Sequence, residues 1–287
     1  MEKSHWNVIA RRKIDAIRYT NPYEALKLYE NYLKRYPDDY ETKLLYASTL
    51  VTIKEFDLAH ELLEEVKFEY KSNRKITENS ETRKILDKCA LYTEIRYLTY
   101  TEQYKKLYEL LKKVPYEVRE EFDIPCFYAD LKMGKISQDN ISNLRSYVKK
   151  QIYSYSEEDF RKCLNKHLYE HNLDKDEQCD KIFDKDFPVE EVLEAVKDNL
   201  NYDNAICSGG YSDVYIFKFD QCGKDNGAYQ DYFKVVCIHN TNKIITMCPA
   251  AGFDKLPYVD LNYLNKKQEI DRPSQIDKFY KRYVRQV

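Results

Sequence analysis

Residues 46–66 read YASTLVTIKEFDLAHELLEEV. Ala47, Leu50 and Val51, with Leu45 just before them, fall on one helical face. Ala59, Leu62, Leu63 and Val66 fall on another, after a short turn near Lys54-Glu55-Phe56. The stretch predicts two helices folded back on each other, with Ala47 and Ala59 small enough to let the backbones approach. Upstream, PYEALKLYENYLKRYP (22–37) repeats the pattern. Asn21-Pro22 interrupts the preceding helix, and Pro22 suits a first helical turn. Ala25, Leu26, Tyr29, Leu33 and Tyr36 share a face, and Pro37-Asp38-Asp39 ends the helix. Downstream, LYTEIRYLTYTEQYKKLYELLKKVP (91–115) continues it, with Leu107 where an alanine is expected and a polar insertion at Lys71–Glu81 before it. Residues 6–115 thus read as helix pairs. All six glycines lie at or after Gly134, five of them at or after Gly209. Glycine weakens helix interiors by about 1 kcal/mol, so this placement predicts helix first and turns later.

Ala25 and Ala59 are 34 residues apart (59 − 25). With that period, the small Ala47 and Ala59, the aromatic Phe56 in the turn and the closing Pro37, residues 22–66 resemble the tetratricopeptide (TPR) family, and residues 91–115 resemble it more loosely. The resemblance implies a stack of helix pairs over residues 1–135. It also implies a groove, lined by the first helix of each pair, that binds a peptide or partner protein. Tyr46, Tyr92 and Tyr97 are candidates to line it; the alternative is that they are core aromatics.

Residues 136–200 read as a helical connector. SQDNISNLRSYVKKQIYSY predicts a helix from about Asp139, SEEDFRKCLNKHLYEH one capped by Ser156, and FPVEEVLEAVKDNL one beginning near Pro188. Cys163, His167 and His171 are four residues apart, with Cys179 beyond. Cys163 and His171 stand about 12 Å apart on a helix, too far to share one zinc ion. The series reads as a surface or interdomain face; the alternative is that His171 is presented to a site on the neighbouring domain.

From residue 201 to 287 the pattern changes to strands: SDVYIFKFD, a turn region DQCGKDNGAYQ, then QDYFKVVCIH, a tight NTNK connection and IITMCP. This predicts an antiparallel meander, followed by a terminal helix capped at Ser274. The fold class is therefore α+β. ICSGGYSDVY imitates a kinase glycine-rich loop, but fewer than 80 residues follow and no HRD or DFG motif is among them, which excludes a kinase. Alternation places Tyr232, Lys234 and Val236 on one face of the second strand, with Phe233, Val235, Cys237 and His239 on the other. His239, at the strand end, is expected to escape burial. Lys218 and Thr246 complete a set of polar groups on the sheet. Helices followed by a small sheet bearing Lys, His and Thr, with NKIITMCP as closing strand, resemble the barnase/RelE-like small ribonucleases. That likeness implies metal-free RNA cleavage. His239 would move protons, Lys234 and Lys218 would stabilise the phosphorane, Thr246 would hold the phosphate and His171 would assist.

The net charge of −2 over 287 residues gives no global attraction to nucleic acid or membrane, and no stretch approaches the roughly 20 apolar residues that span a bilayer. The opening residues lack a secretory signal's apolar core, and the eight cysteines form no CxxC pair. Both predict a cytoplasmic chain with reduced thiols and no cofactor. Three readings remain: a TPR-type scaffold with a second binding or effector domain, a toxin-like endoribonuclease acting on RNA and regulated through its helical half, or another small-domain enzyme or metal-dependent site.

Overall fold

The computed structural model describes residues 5–135, 168, 180–209, 211–240 and 244–265. The helices read from Asp139 and Ser156, the Cys163–His167–His171–Cys179 series and the helix read from Ser274 lie outside them. The described architecture is α+β.

The helical part comprises α1 (His5–Ile17), α2 (Pro22–Leu33), α3 (Tyr40–Thr52), α4 (Phe56–Ser72), α5 (Arg74–Thr77), α6 (Ser80–Tyr100), α7 (Tyr104–Lys112), α8 (Tyr116–Arg119) and α9 (Asp123–Lys132). Side-chain caps start four of them, the short α5 through Asn73, which accepts from the Lys75 amide at 3.1 Å. Asn21 accepts from the Glu24 amide at 3.3 Å, Asp39 from Thr42 at 3.2 Å and Asn79 from Thr82 at 3.0 Å. Each such cap contributes about 1 kcal/mol. The hairpin read from residues 46–66 is α3 and α4. Lys54 closes its turn in the left-handed region (φ 64°), and the Glu55 amide bonds back to the Leu50 carbonyl at 3.0 Å. The α6–α7 turn repeats this geometry, with Glu102 at φ 55° and the Gln103 amide 2.9 Å from the Leu98 carbonyl. The two turns are 48 residues apart (102 − 54), because α5 and the 21-residue α6 occupy the polar insertion and beyond. Ala25, Ala47, Ala59 and Leu107 are all buried where the helices meet.

The second part comprises β1 (Lys181–Phe183), α10 (Val189–Asp198), β2 (Ile206–Cys207), β3 (Ser212–Asp225), β4 (Ala228–Ile238), β5 (Ile244–Pro249) and β6 (Val259–Asp260). The sheet order is β1-β3-β4-β5, with β2 and β6 also on β3; β6 runs parallel to β3 and the other pairs are antiparallel. The expected meander is thus β3–β4–β5. Two boundaries differ from the sequence reading. The stretch taken as a turn, 220–230, is strand as far as Asp225, with a bulge between Lys218 and Gly223; the turn itself is Asn226-Gly227, at φ 50° and 80°. Asn-Gly is the usual two-residue hairpin pair because both positions need positive φ. The sheet also begins at Lys181, inside the stretch read as connector. Val192, Leu193 and Val196 of α10 pack with Phe217, Phe233 and Val235 in one core. Gly223 permits this closure, since a Cβ there would lie 2.3 Å from the Ile182 carbonyl oxygen.

A second core crosses from helices to sheet. Leu50, Ile95, Leu98, Tyr100, Leu107 and Phe127 cluster with Cys207, Tyr211 and Ile238. The two parts therefore meet through an apolar seam.

Candidate functional site

At the centre of the seam lies Arg96 of α6, fully buried. Its Nη1 donates to the Ser48 carbonyl (2.7 Å) and Ser48 Oγ (2.6 Å); its Nη2 donates to Thr52 Oγ1 (3.1 Å) and the Cys207 carbonyl (3.3 Å). One guanidinium so joins α6, α3 and β2, a fork that only arginine offers. One turn to either side, Tyr100 donates to the Ser208 carbonyl and Tyr92 to the Gly209 carbonyl (3.4 Å). Gly209 is needed for the approach of another ring: a Cβ there would stand 2.7 Å from Tyr19. The kinase-like glycine thus has a packing reason. Of the proposed groove tyrosines, Tyr92 meets the 207–211 segment. Tyr97 instead stacks on His60 (4.9 Å), and Tyr46 donates to Glu30 (3.2 Å) beside Tyr29.

Beside this lies a buried carboxylate–imidazole pair. His239 Nδ1 is 2.9 Å from Asp213 Oδ1, and Asp213 Oδ2 accepts from the Asn240 amide at 2.8 Å. Both side chains are only 1% exposed. The imidazole sits edge-on to Tyr100 (4.6 Å between centroids), Tyr128 (6.1 Å) and Tyr202 (6.0 Å), and its Nε2 is buried without a partner. The expectation that His239 escapes burial is corrected: α6 and α9 cover the strand end. The carboxylate orients the ring as in a general-base dyad, but tyrosine rings surround the free nitrogen. Nor is Cys207, the thiol of this seam, an activated nucleophile. Burial first, and the Asp213 carboxylate second, push the Cys207 thiol up to about 12. Only thiolates attack, so Cys207 is inert at neutral pH. At the outer edge of the seam, Lys54 donates to the Tyr202 carbonyl and lies 3.9 Å above its ring. Burial lowers the pKa of that amine.

Cys237 is also pushed up to about 12 by burial and Asp213. At pH 8 a thiol of that pKa is roughly one part in ten thousand thiolate, so native labelling of Cys207 and Cys237 is expected to proceed only through unfolding. Both thiols ionise more readily in the unfolded chain, whose cysteines titrate near 8.5. Their stabilising contribution is therefore complete below about pH 8.5 and is lost as pH rises toward 12. Timed alkylation with mass spectrometry at pH 8, with and without urea, checks this.

Lys218, Lys234 and Thr246 lie on the opposite sheet face from His239. Cross-strand register pairs Ile216 with Lys234, Lys218 with Tyr232, and Val236 with Thr246. The sheet thus brings the two lysines and the threonine to one face and separates them from the histidine. That face also carries the apolar Ile206, Ile216, Phe253 and Leu256. Lys218 Nζ is 4.0 Å from Asp220, whose charge chiefly raises the lysine pKa, and Asp260 acts in the same sense. Such carboxylates offset the lysines as a phosphate-binding field. His171 lies outside the described residues. Among the described residues, no group of three or more His, Cys, Asp or Glu could hold a metal, and no helix is long and apolar enough to cross a membrane.

Sequence reasoning missed Arg96 and Asp213, though both left a signal. Arg96 stands four residues from Tyr92 and from Tyr100, a charge on an aromatic helical stripe. Asp213 begins the row Asp213, Tyr215, Phe217, Phe219, an acid on an apolar strand face. Compared with family models, with curated proteins and with solved structures, the chain finds no match in any of the three.

Proposed function

We propose that this chain is a protein-interaction scaffold whose TPR-like helical half is closed in cis by its own β2 segment. One observation carries the reading: Arg96, Tyr100 and Tyr92, successive residues on one face of α6, take the consecutive carbonyls of Cys207, Ser208 and Gly209. The Tyr211 amide bonds back to the Ser208 carbonyl at 3.1 Å, so what α6 holds is the end of β2 and the turn into β3. Side chains that grip main-chain carbonyls recognise such a backbone shape with little regard to its sequence, as a peptide-binding groove must. Tyr211 anchors the segment's end, buried at φ 56° with its ring 6.1 Å from Tyr100. A partner segment of similar shape competes for this face when the cis segment lifts. The ribonuclease reading has less support, since its histidine and lysines occupy opposite faces.

The test uses the full chain and a labelled peptide of residues 205–213. Tyr211→Ala removes the anchor of the occupant and leaves the receiving residues intact. The variant is expected to bind the peptide with Kd of about 1–10 μM by fluorescence anisotropy, and the unaltered chain to bind none. Hydrogen exchange over Cys207–Tyr211 reports whether the segment has lifted. A lifted segment with no peptide binding would overturn the reading, as would metal-free cleavage of a labelled RNA pool by the intact chain.

A further inference from the structure

The α1–α2 pair ends the helical stack, and its outer side holds an open cleft of about 420 Å³. That volume falls in the range of roughly 300–1,000 Å³ usual for ligand sites. Ile14, Leu28, Tyr32 and Tyr36 give it an apolar lining, and Lys13 and Arg35 stand exposed on its rim. Every carboxylate of α1 and α2 is engaged elsewhere: Asp15 with the Tyr29 hydroxyl, Glu24 with Lys255, and Glu30 with the Tyr46 hydroxyl. Among the described residues neither Lys13 nor Arg35 has an acidic partner. The cleft is therefore apolar within and cationic at its edge.

The complementary surface occurs on the same chain. The outer face of α4 exposes two large apolar side chains, Leu58 (53%) and Phe68 (73%). Glu61 and Glu65 stand exposed between them. Positions 58, 61, 65 and 68 follow a 3-4-3 spacing, which lines them up as one helical stripe. Neighbouring Glu64 is bonded to Lys67, whereas Glu61 and Glu65 have no cationic partner among the described residues. Leu58 and Phe68 are about 15 Å apart along α4, and the cleft runs from Leu28 in α2 to Tyr36 just beyond that helix's end.

We infer that the α1–α2 cleft of one copy receives the outer face of α4 from a second copy. Leu58 and Phe68 enter beside Leu28 and Tyr36, and Glu61 and Glu65 face Lys13 and Arg35. The two surfaces differ, so the contact is head-to-tail: each copy keeps a free cleft at one end and a free α4 at the other. Helix-in-groove docking with a charged rim gives association that weakens as salt rises. The site is separate from the α6 groove, and its failure leaves the cis-closure reading untouched.

The experiment is sedimentation velocity on the full chain and two charge-reversed variants, Glu61→Lys/Glu65→Lys and Lys13→Glu/Arg35→Glu. All four positions are exposed, and circular dichroism confirms that each variant folds. The unaltered chain is expected to sediment faster as concentration rises, with at least tenfold weaker association in high salt. Each variant alone is expected to stay monomeric, because its cleft and its α4 then carry like charges. An equimolar mixture of the two is expected to associate again, since each cleft meets an α4 of opposite sign. A chain that is monomeric throughout, association that survives either reversal, or a mixture that stays monomeric would each overturn the inference.

Discussion

Replacing Arg96 by methionine is expected to lower the unfolding free energy by roughly 3–5 kcal/mol. The substitution takes one donor each from the Ser48 and Cys207 carbonyls, Ser48 Oγ and Thr52 Oγ1 in a buried seam, where the Ser48 carbonyl keeps only the Thr52 hydroxyl as a side-chain donor. A buried acceptor without its partner costs about 1–3 kcal/mol, and methionine's packing recovers only part of the sum. Arg96→Lys keeps the charge but not the fork: one ammonium cannot reach Ser48, Thr52 and Cys207 together, so it is expected to restore less than half of the loss. Urea unfolding measures both, with an unchanged m-value as the check that the unfolded state is the same. A loss below about 1 kcal/mol for Arg96→Met would mean that apolar contacts alone hold helices and sheet together.

The second large effect belongs to the buried pair. Asp213→Ala removes the acceptor for both the His239 ring and the Asn240 amide, and His239→Ala leaves a buried carboxylate with one donor. Each is expected to cost roughly 3–5 kcal/mol, because a buried charge that loses its partner keeps its full desolvation penalty. The double variant is expected to cost less than the sum by about 1–3 kcal/mol, since one interaction is lost only once. Asp213→Asn retains one acceptor oxygen for two donors and should fall between. Additive losses in the double-mutant cycle would show that the two side chains do not act as a pair.

Both results concern a seam that the sequence reading did not locate. His239 illustrates why. Its place on the Phe233–Val235–Cys237 face was legible from alternation, and the structure keeps it there. Its burial was not, because burial depends on α6 and α9, which lie more than a hundred residues away in the chain. The same applies to Lys234 and Thr246: register across β4 and β5 unites them, and the side of the sheet on which His239 lies separates them from it. Tyr97 faces α4 and stacks on His60, because helix rotation within the stack depends on all neighbouring contacts and not on the stripe alone.

Local patterns determined the local structure of this protein. Residues 46–66 specified a helical hairpin, Asp39 the start of its first helix, Asn21 and Asn79 the starts of neighbouring helices, and Asn226-Gly227 the β3–β4 turn, since caps, turns and periodicity act within a few residues. The α+β class followed from where the glycines and the β-branched runs lie. Only the tertiary structure decided that β1 and α10 join the sheet, that β2 lies against α6, and that Arg96 and Asp213 are buried. Those outcomes rest on contacts between residues far apart in the chain, such as Arg96 with Thr52, 44 positions away, or Tyr100 with Ser212, 112 positions away. No periodicity encodes such pairs; they form when apolar surfaces from distant segments leave water together and the polar groups between them find partners.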